Sequence, residues 1–265
     1  MKKTISICLV ISLLLLLSPS VFATETDSMT SQDELTQEER STILNDIGIK
    51  EDELKYYSTK VLRYLIENDA VKLSTSEPMD YSLSSQKRGD DFVGTMDLTT
   101  SDITLYANAY EVNSDVPGSK KIYIYGSYTW KVKPLFALTD KMSIGYPVTN
   151  EWYLKTSSGK IMGHESNNCN YKGQWTCTSS NVPSDHDIGQ GVAAKYDIWA
   201  DSNFKQGDIT QYVYTTKKSG KSNINLRYGH RFATGSVSVS VFPSGLAVNP
   251  SIGTEVLDYP ITISW

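Results

Sequence analysis

The chain has 265 residues, of which 39% are hydrophobic, and a formal net charge of −5 at pH 7. An acidic chain argues against a nucleic-acid partner and against adsorption to anionic lipid, because both need clustered lysine and arginine. The length is sufficient to bury a hydrophobic core without cross-links.

The first 23 residues have the three parts of a secretory signal in the required order. A basic patch of Lys2 and Lys3 precedes an apolar run over residues 5–17, and Val21 and Ala23 mark a cleavage site. The run is too short for a membrane anchor, since a spanning helix needs about 20 apolar residues. We therefore predict a signal peptide over residues 1–23 and a secreted, extracellular product with no stable membrane anchor.

Residues 24–73 have a helical pattern, and we expect them to form a hairpin of two helices. Ser31 followed by Glu34 is typical of a capping box at a helix start, and Gly48 marks a helix end. Apolar residues from Leu54 to Leu65 then recur at spacings of three and four, as on one face of a second helix.

Residues 74–91 show no such period and predict a polar linker, with Pro78, several serines and the stretch Lys87-Arg88-Gly89-Asp90. Cleavage by extracellular proteases near Lys87 or Arg88 would release the preceding residues as a prosegment. The alternative is that the hairpin stays attached as a small accessory domain.

After Phe92 the pattern has a period of two, as in residues 122–130 and 236–241. We predict that residues 92–265 form a mainly β domain, an antiparallel β-sandwich of jelly-roll or Greek-key type. Turn signals that separate the predicted strands are Pro117-Gly118, Ser157-Ser158-Gly159, Gln206-Gly207-Asp208 and Ser219-Gly220.

Residues 120–265 contain several short motifs, namely Tyr128-Thr129-Trp130, Pro134, Leu138-Thr139-Asp140, Ile144-Gly145 and Tyr228-Gly229-His230. In these motifs the chain resembles a group of secreted β-rich proteins of Gram-positive bacteria that has no assigned activity. The resemblance implies export and a β-domain, and it implies no active site.

Removal of the signal leaves two cysteines, Cys169 and Cys177, and in an oxidising compartment we predict a disulfide between them. So small a loop is worth roughly 2.5 kcal/mol of unfolded-chain entropy. A metal site is the alternative, but the cysteine spacing and the positions of His164 and His186 match no common zinc motif. We predict no metal and no cofactor.

The chain contains 17 tyrosines, and the predicted strand over residues 122–130 has large side chains on both faces. An exposed aromatic face would bind glycan or protein. The alternative is that a helix or loop covers this face. The candidate ligand-binding residues are Tyr123, Tyr125, Trp152 and Trp199.

We therefore predict a non-enzymatic protein that binds cell-wall or host glycan, or another protein. One alternative is a hydrolase that uses carboxylates such as Glu151 or Asp197, although no residue is assigned as catalytic. Another is a membrane-active toxin, although the Ser-Val alternation over residues 236–241 is shorter than the 9–11 residues or so of a spanning strand. Asp185-His186-Asp187 is interpreted as a solvated loop.

Overall fold

The computed structural model describes residues 34–73, 98–134, 136–232, 237–242, 245–249 and 253–265. The predicted signal peptide and the predicted linker lie outside these residues, as does Ser31 of the predicted capping box. The described chain is mainly β, and its sheets are antiparallel, as the period-two pattern predicts.

Short helices form the first described part of the chain. They are α1 Gln37–Thr42, a π-helical turn Ile43–Ile47, a 3₁₀ helix Glu51–Tyr56 and α2 Thr59–Glu67. We call residues 34–70 the helical segment. None of the helices in the described ranges is long and apolar enough to cross a membrane.

Two helix starts within the described residues were not expected from the sequence. The capping box is formed by Thr36 and Glu39, whose backbone N–H donates to Thr36 Oγ1 over 3.1 Å. Thr36 and Glu39 have the same spacing as Ser31 and Glu34. Thr36 directly precedes α1, and Glu39 is the third residue of that helix. The second predicted helix is interrupted, because Ser58 caps a new helix there by accepting a hydrogen bond from the Val61 N–H.

Two antiparallel sheets contain most of the strands. In chain order the strands are β1 Val71–Lys72, β2 Ile103–Val112, β3 Lys120–Trp130, β4 Thr139–Gly145, β5 Thr156–Ser157, β6 Lys160–Ile161, β7 His164–Tyr171, β8 Trp175–Ser180, β9 Asp185–Asp187, β10 Gly191–Asp197, β11 Phe204–Thr215, β12 Lys221–Arg231, β13 Val239–Phe242, β14 Gly245–Val248 and β15 Thr254–Ser264. The six-stranded sheet has the order β1-β2-β3-β11-β7-β8, and the five-stranded sheet has the order β15-β12-β4-β10-β9. A 3₁₀ turn, Val148–Asn150, lies between β4 and β5, and β5–β6 and β13–β14 form separate two-stranded ribbons.

The inner faces of the two sheets share one hydrophobic core. Ile122 and Ile124 of β3 belong to the same buried cluster as Ile144 of β4 and Leu226 of β12. A Cβ atom added at Gly126 of β3 would lie 2.4 Å from Leu226 Cδ1, so no larger side chain fits there without repacking. Alternate residues of each strand thus supply the core, since side chains alternate between the faces of a sheet.

The outer face of the six-stranded sheet is covered by the helical segment. Four tyrosines of β2 and β3 are buried in a second cluster with Tyr57, Leu65 and other residues of that segment. Of the two interpretations of the strand over residues 122–130, the structure therefore has the covered face and not an exposed aromatic one. We call these four residues the tyrosine face: Tyr106, Tyr110, Tyr123 and Tyr125.

Candidate functional site

A pocket of about 160 Å³ lies between α2 and the outer face of the six-stranded sheet. Pockets for drug-sized ligands have volumes of about 300–1,000 Å³, so this one matches a single small ring. We call it the helix–sheet pocket. Its lining includes Lys60, Val61 and Tyr64 from α2, Tyr123 from β3, Glu165 and Asn167 from β7, and Asp208, Thr210 and Tyr212 from β11.

Strand alternation and register bring the polar lining residues together. Asp208, Thr210 and Tyr212 are alternate residues of β11 and therefore point to one face. On the neighbouring strand β7, Asn167 lies opposite Asp208, and Glu165 lies opposite Thr210. The two carboxylates are thus diagonal neighbours on the outer face.

Asp208 is the most unusual of these residues, because its side chain is 2% exposed and carries a carboxyl group. Its Oδ1 accepts a hydrogen bond of 2.8 Å from Asn167 Nδ2, and its Oδ2 accepts none from the described residues. Burial raises the pKa of Asp208 to about 7, the Asn167 amide opposes this rise, and the charge of Glu165 adds to it. The carboxyl group therefore changes its charge near neutral pH.

Lys60 of α2 forms an ion pair with Glu165 at the pocket. The two side chains are 71% and 36% exposed, so water weakens their attraction. Exposed pairs of this kind contribute about 0–1 kcal/mol. Lys60 can therefore leave Glu165 at little cost.

Three tyrosine rings in mutual contact form one wall of the pocket. The ring centroids of Tyr64 lie 5.1 Å from Tyr123 and 5.9 Å from Tyr212, and Tyr123 lies 5.3 Å from Tyr212. Gly163 permits this packing, because a Cβ atom there would lie 1.9 Å from Tyr212 Cδ2. Its φ of +71° is also one that favours glycine.

The four candidate ligand-binding residues are not brought together. Tyr123 lines the helix–sheet pocket. Tyr125 is fully buried, and its hydroxyl donates to the backbone carbonyl of Tyr56. Trp152 is buried in the core that the sheets share, and Trp199 is half-buried after β10.

The acidic residues of the pocket, Glu165 and Asp208, are not among the site residues predicted from the sequence. The stretch Gln206-Gly207-Asp208 was expected to be a turn, but β11 runs through it, so this expectation is wrong. Its polar and glycine residues are accommodated inside a strand because β11 pairs with β3 on one side and β7 on the other. One feature of the sequence could have indicated the site: Asp208 directly precedes the alternating residues 209–214, which predict a strand.

The two carboxylates considered for hydrolysis differ in their surroundings. Glu151 lies 3.1 Å from Lys217 Nζ, and Asp197 is exposed at the end of β10. The segment Asp185-His186-Asp187 is not a loop but the short strand β9, in which Asp185 accepts from Lys141 Nζ over 2.9 Å. Within the described ranges, no group of three or more His, Cys, Asp and Glu side chains is placed to hold a metal ion.

Cys169 of β7 and Cys177 of β8 lie opposite each other, with an Sγ–Sγ distance of 2.06 Å, the distance of the predicted disulfide. The pair links two neighbouring strands at the edge of the six-stranded sheet.

A second buried carboxyl group, Asp140, lies within the five-stranded sheet. It accepts hydrogen bonds from the Tyr228 hydroxyl over 2.5 Å and from the Arg231 N–H over 3.0 Å, and His230 Nδ1 lies 3.0 Å away. Burial raises the pKa of Asp140, and the bond with His230 opposes the rise. Because both side chains are enclosed, this cluster holds the sheet together and is not open to a ligand.

No protein-family model matches the sequence, and no curated protein is similar to it. Among solved structures, the chain is similar to one described as a pore forming protein, with 9% identity and a TM-score of 0.33 over 62% of this chain and 90% of that one. It is also similar to Clostridium perfringens delta-toxin, with 8% identity and a TM-score of 0.30 over 63% and 86% of the two chains. The chain is similar, too, to the Clostridium perfringens NetB toxin in its membrane inserted form, with 9% identity and a TM-score of 0.31 over 62% of this chain and 95% of that one. These scores are too low for the names of those proteins to bear on this chain.

Proposed function

We propose that this protein is a secreted, non-enzymatic binding protein, in which a helical hairpin covers an antiparallel β-sandwich. It binds one small hydroxyl-bearing ligand, such as a single sugar residue of a glycan, in the helix–sheet pocket. The observation that carries this proposal is Asp208, a buried carboxylate that lines the pocket with one oxygen free of hydrogen bonds from the described residues.

Asp208 Oδ2 accepts no hydrogen bond from the described residues and is not among their enclosed unpartnered atoms, so it is open to the pocket and to a donor from a ligand. A ligand hydroxyl supplies that donor. Asn167 and Thr210 offer further polar groups beside it, and the Tyr64 and Tyr123 rings offer an apolar wall for a sugar ring. Few polar groups against an aromatic wall are typical of small-molecule sites.

A hydrolase is the first alternative, because Glu165 and Asp208 are two carboxylates of which one has a raised pKa. Hydrolysis of a glycosidic bond needs sugar on both sides of the bond. A pocket of about 160 Å³ matches one ring, which favours binding without cleavage. Release of reducing sugar by the wild-type protein, and its loss in Asp208→Asn, would instead establish the hydrolase.

A membrane-active toxin is the second alternative. Three of the similar solved structures are pore-forming proteins or toxins by name. Their low similarity to this chain gives no support to this alternative. Release of dye from liposomes by the purified protein would favour it over the binding function.

The binding function is tested by titrating the purified protein with monosaccharides and following the tyrosine signals by NMR. We expect saturable binding to the wild-type protein and a loss of about tenfold or more in affinity in Asp208→Asn, since a charge-assisted hydrogen bond is removed. Asp46→Asn is the matched control, because Asp46 is exposed on the helical segment and does not line the pocket. Absence of binding to every monosaccharide, or equal binding by Asp208→Asn, would refute the proposal.

Export is tested separately, by mass spectrometry of protein recovered from culture medium. We expect an N-terminus at Thr24, or one near residue 88 if the hairpin is removed as a prosegment. Full-length protein that stays inside the cell would contradict secretion.

A further inference from the structure

We infer that the ligand of the helix–sheet pocket carries an ammonium group beside its hydroxyls, as an amino sugar with a free amine does, and that Lys60 competes with this ammonium for Glu165. This inference rests on the proposed function and narrows its ligand class. The observation that carries it is the distribution of charge around the pocket.

Two carboxylates are fixed to the sheet at the floor of the pocket. Asp208 on β11 and Glu165 on β7 are diagonal neighbours on paired strands, a placement that typically separates two residues by about 7–8 Å across the sheet. Their side chains lie on the same face, and the charge of Glu165 acts on Asp208. One ammonium group in the pocket can therefore reach both carboxylates.

The cation that partners these carboxylates is held by the helix and not by the sheet. Lys60 has a side chain that is 71% exposed, and its long stem can turn into water. By contrast, Lys121 is 12% exposed and lies 3.3 Å from Asp115, so it is held in place away from Glu165. When Lys60 turns away, the described lining carries two carboxylates and no other Lys or Arg.

The aromatic wall also favours a cation. The faces of tyrosine rings attract ammonium groups through the ring quadrupole. The wall already makes such a contact on one side, where Lys121 Nζ lies 4.2 Å from the centroid of Tyr212. Tyr64 and Tyr123 line the pocket and can make the same contact with a ligand.

The ammonium of the ligand favours the ionised form of Asp208. The affinity for the ligand must therefore weaken as the pH falls below about 7, the pKa of the Asp208 carboxyl. Burial raises the pKa of the surrounding tyrosines, so they stay neutral in this range. When Asp208 is protonated, a neutral sugar loses only the charge assistance of one hydrogen bond, whereas the ammonium loses an ion pair. The titratable groups around Asp208 are Glu165 and His164 on β7, Lys60 and Tyr64 on α2, Tyr123, Tyr125 and Tyr128 on β3, Tyr196 on β10 and Tyr212 on β11. Burial lowers the pKa of His164 to about 4, so its ring stays neutral in this range.

The test compares D-glucosamine with D-glucose and N-acetyl-D-glucosamine as ligands of the full secreted chain. At pH 7 we expect glucosamine to bind about tenfold or more tightly than either neutral sugar, because charge-assisted bonds are stronger. Between pH 7 and pH 5.5 its affinity falls by up to about tenfold per unit, more steeply than that of glucose.

Single substitutions test the roles of Glu165, Asp208 and Lys60 separately. Glu165→Gln and Asp208→Asn each weaken glucosamine binding, whereas Lys60→Ala tightens it about two- to fivefold, as expected from removal of an exposed ion pair. Lys55→Ala is the matched control, since Lys55 is exposed on the same segment and does not line the pocket. Thermal unfolding shows that each variant is folded.

The outcomes distinguish this inference from the proposed function. Equal affinity for glucosamine and glucose, or weaker glucosamine binding by Lys60→Ala, overturns the inference and leaves sugar binding in place. If none of the three sugars binds to the wild-type protein, the proposed function fails as well.

Discussion

At the scale of single residues, Asp208 links the stability of the protein to pH. Its folded-state pKa of about 7 lies above its usual value of 3.8, so the folded chain binds more protons than the unfolded chain between these values. The protonated Asp208 carboxyl therefore contributes most to the free energy of unfolding below about pH 4. This contribution is lost as the pH rises through about 7.

We therefore predict that Asp208→Asn raises the free energy of unfolding at pH 8, by up to roughly 4 kcal/mol, and changes it little at pH 4. The asparagine oxygen still accepts the bond from Asn167. Urea unfolding at both pH values measures the effect. A variant that is less stable than the wild type at pH 8 would show that Asp208 stabilises the fold instead of serving a ligand.

At the scale of elements, a hydroxyl network attaches the helical segment to β2. Tyr57 Oη lies 2.9 Å from Tyr106 Oη and 2.5 Å from Tyr110 Oη, and it accepts from Asn108 Nδ2 over 2.9 Å. Tyr57 itself is buried, and its ring stacks on Tyr125. Loss of one hydroxyl would leave several buried groups with one partner fewer.

We predict that Tyr57→Phe lowers the free energy of unfolding by about 1–3 kcal/mol, because it leaves buried polar groups unsatisfied. Tyr146→Phe is the matched control, since the buried Tyr146 hydroxyl has no hydrogen-bond partner among the described residues. Its removal is expected to be neutral or slightly stabilising. Equal losses in the two variants, measured by urea unfolding, would show that the network does not hold the segment.

At the scale of the whole molecule, the helical segment covers the outer face of the six-stranded sheet. The tyrosine face is buried only together with the helical segment. A chain that starts at residue 92 therefore exposes four large rings. Whether residues 92–265 form a domain of their own stays a prediction, and this exposure makes it testable.

We predict that the fragment 92–265 keeps a β-type circular dichroism spectrum but binds a hydrophobic dye and unfolds at a lower urea concentration than the full chain. A full chain cut once near Arg88 is the control, since both pieces remain present and their buried contacts are intact. We expect it to bind little dye. A fragment as stable and as dye-free as the full chain would show that the helical segment is dispensable.

Periodicity alone was enough to predict the class of fold. Alternation over residues 122–130 predicts a strand, and the structure has β3 there within antiparallel sheets. The separation of Cys169 and Cys177 likewise predicts a local pair, which the β7–β8 register brings together. Both inferences concern neighbours in the chain, for which the geometry follows from the local backbone.

The candidate site depended on contacts between distant parts of the chain. Asp208 and Asn167 meet because β11 pairs with β7, and Lys60 reaches Glu165 because α2 packs on that sheet. Sequence alone determined that the protein is mainly β and that Tyr123 was a candidate for binding. Only the tertiary structure decided that its face is covered and that two carboxylates lie beside it, because strand pairing and helix packing depend on the free energy of the whole core and not on local periodicity.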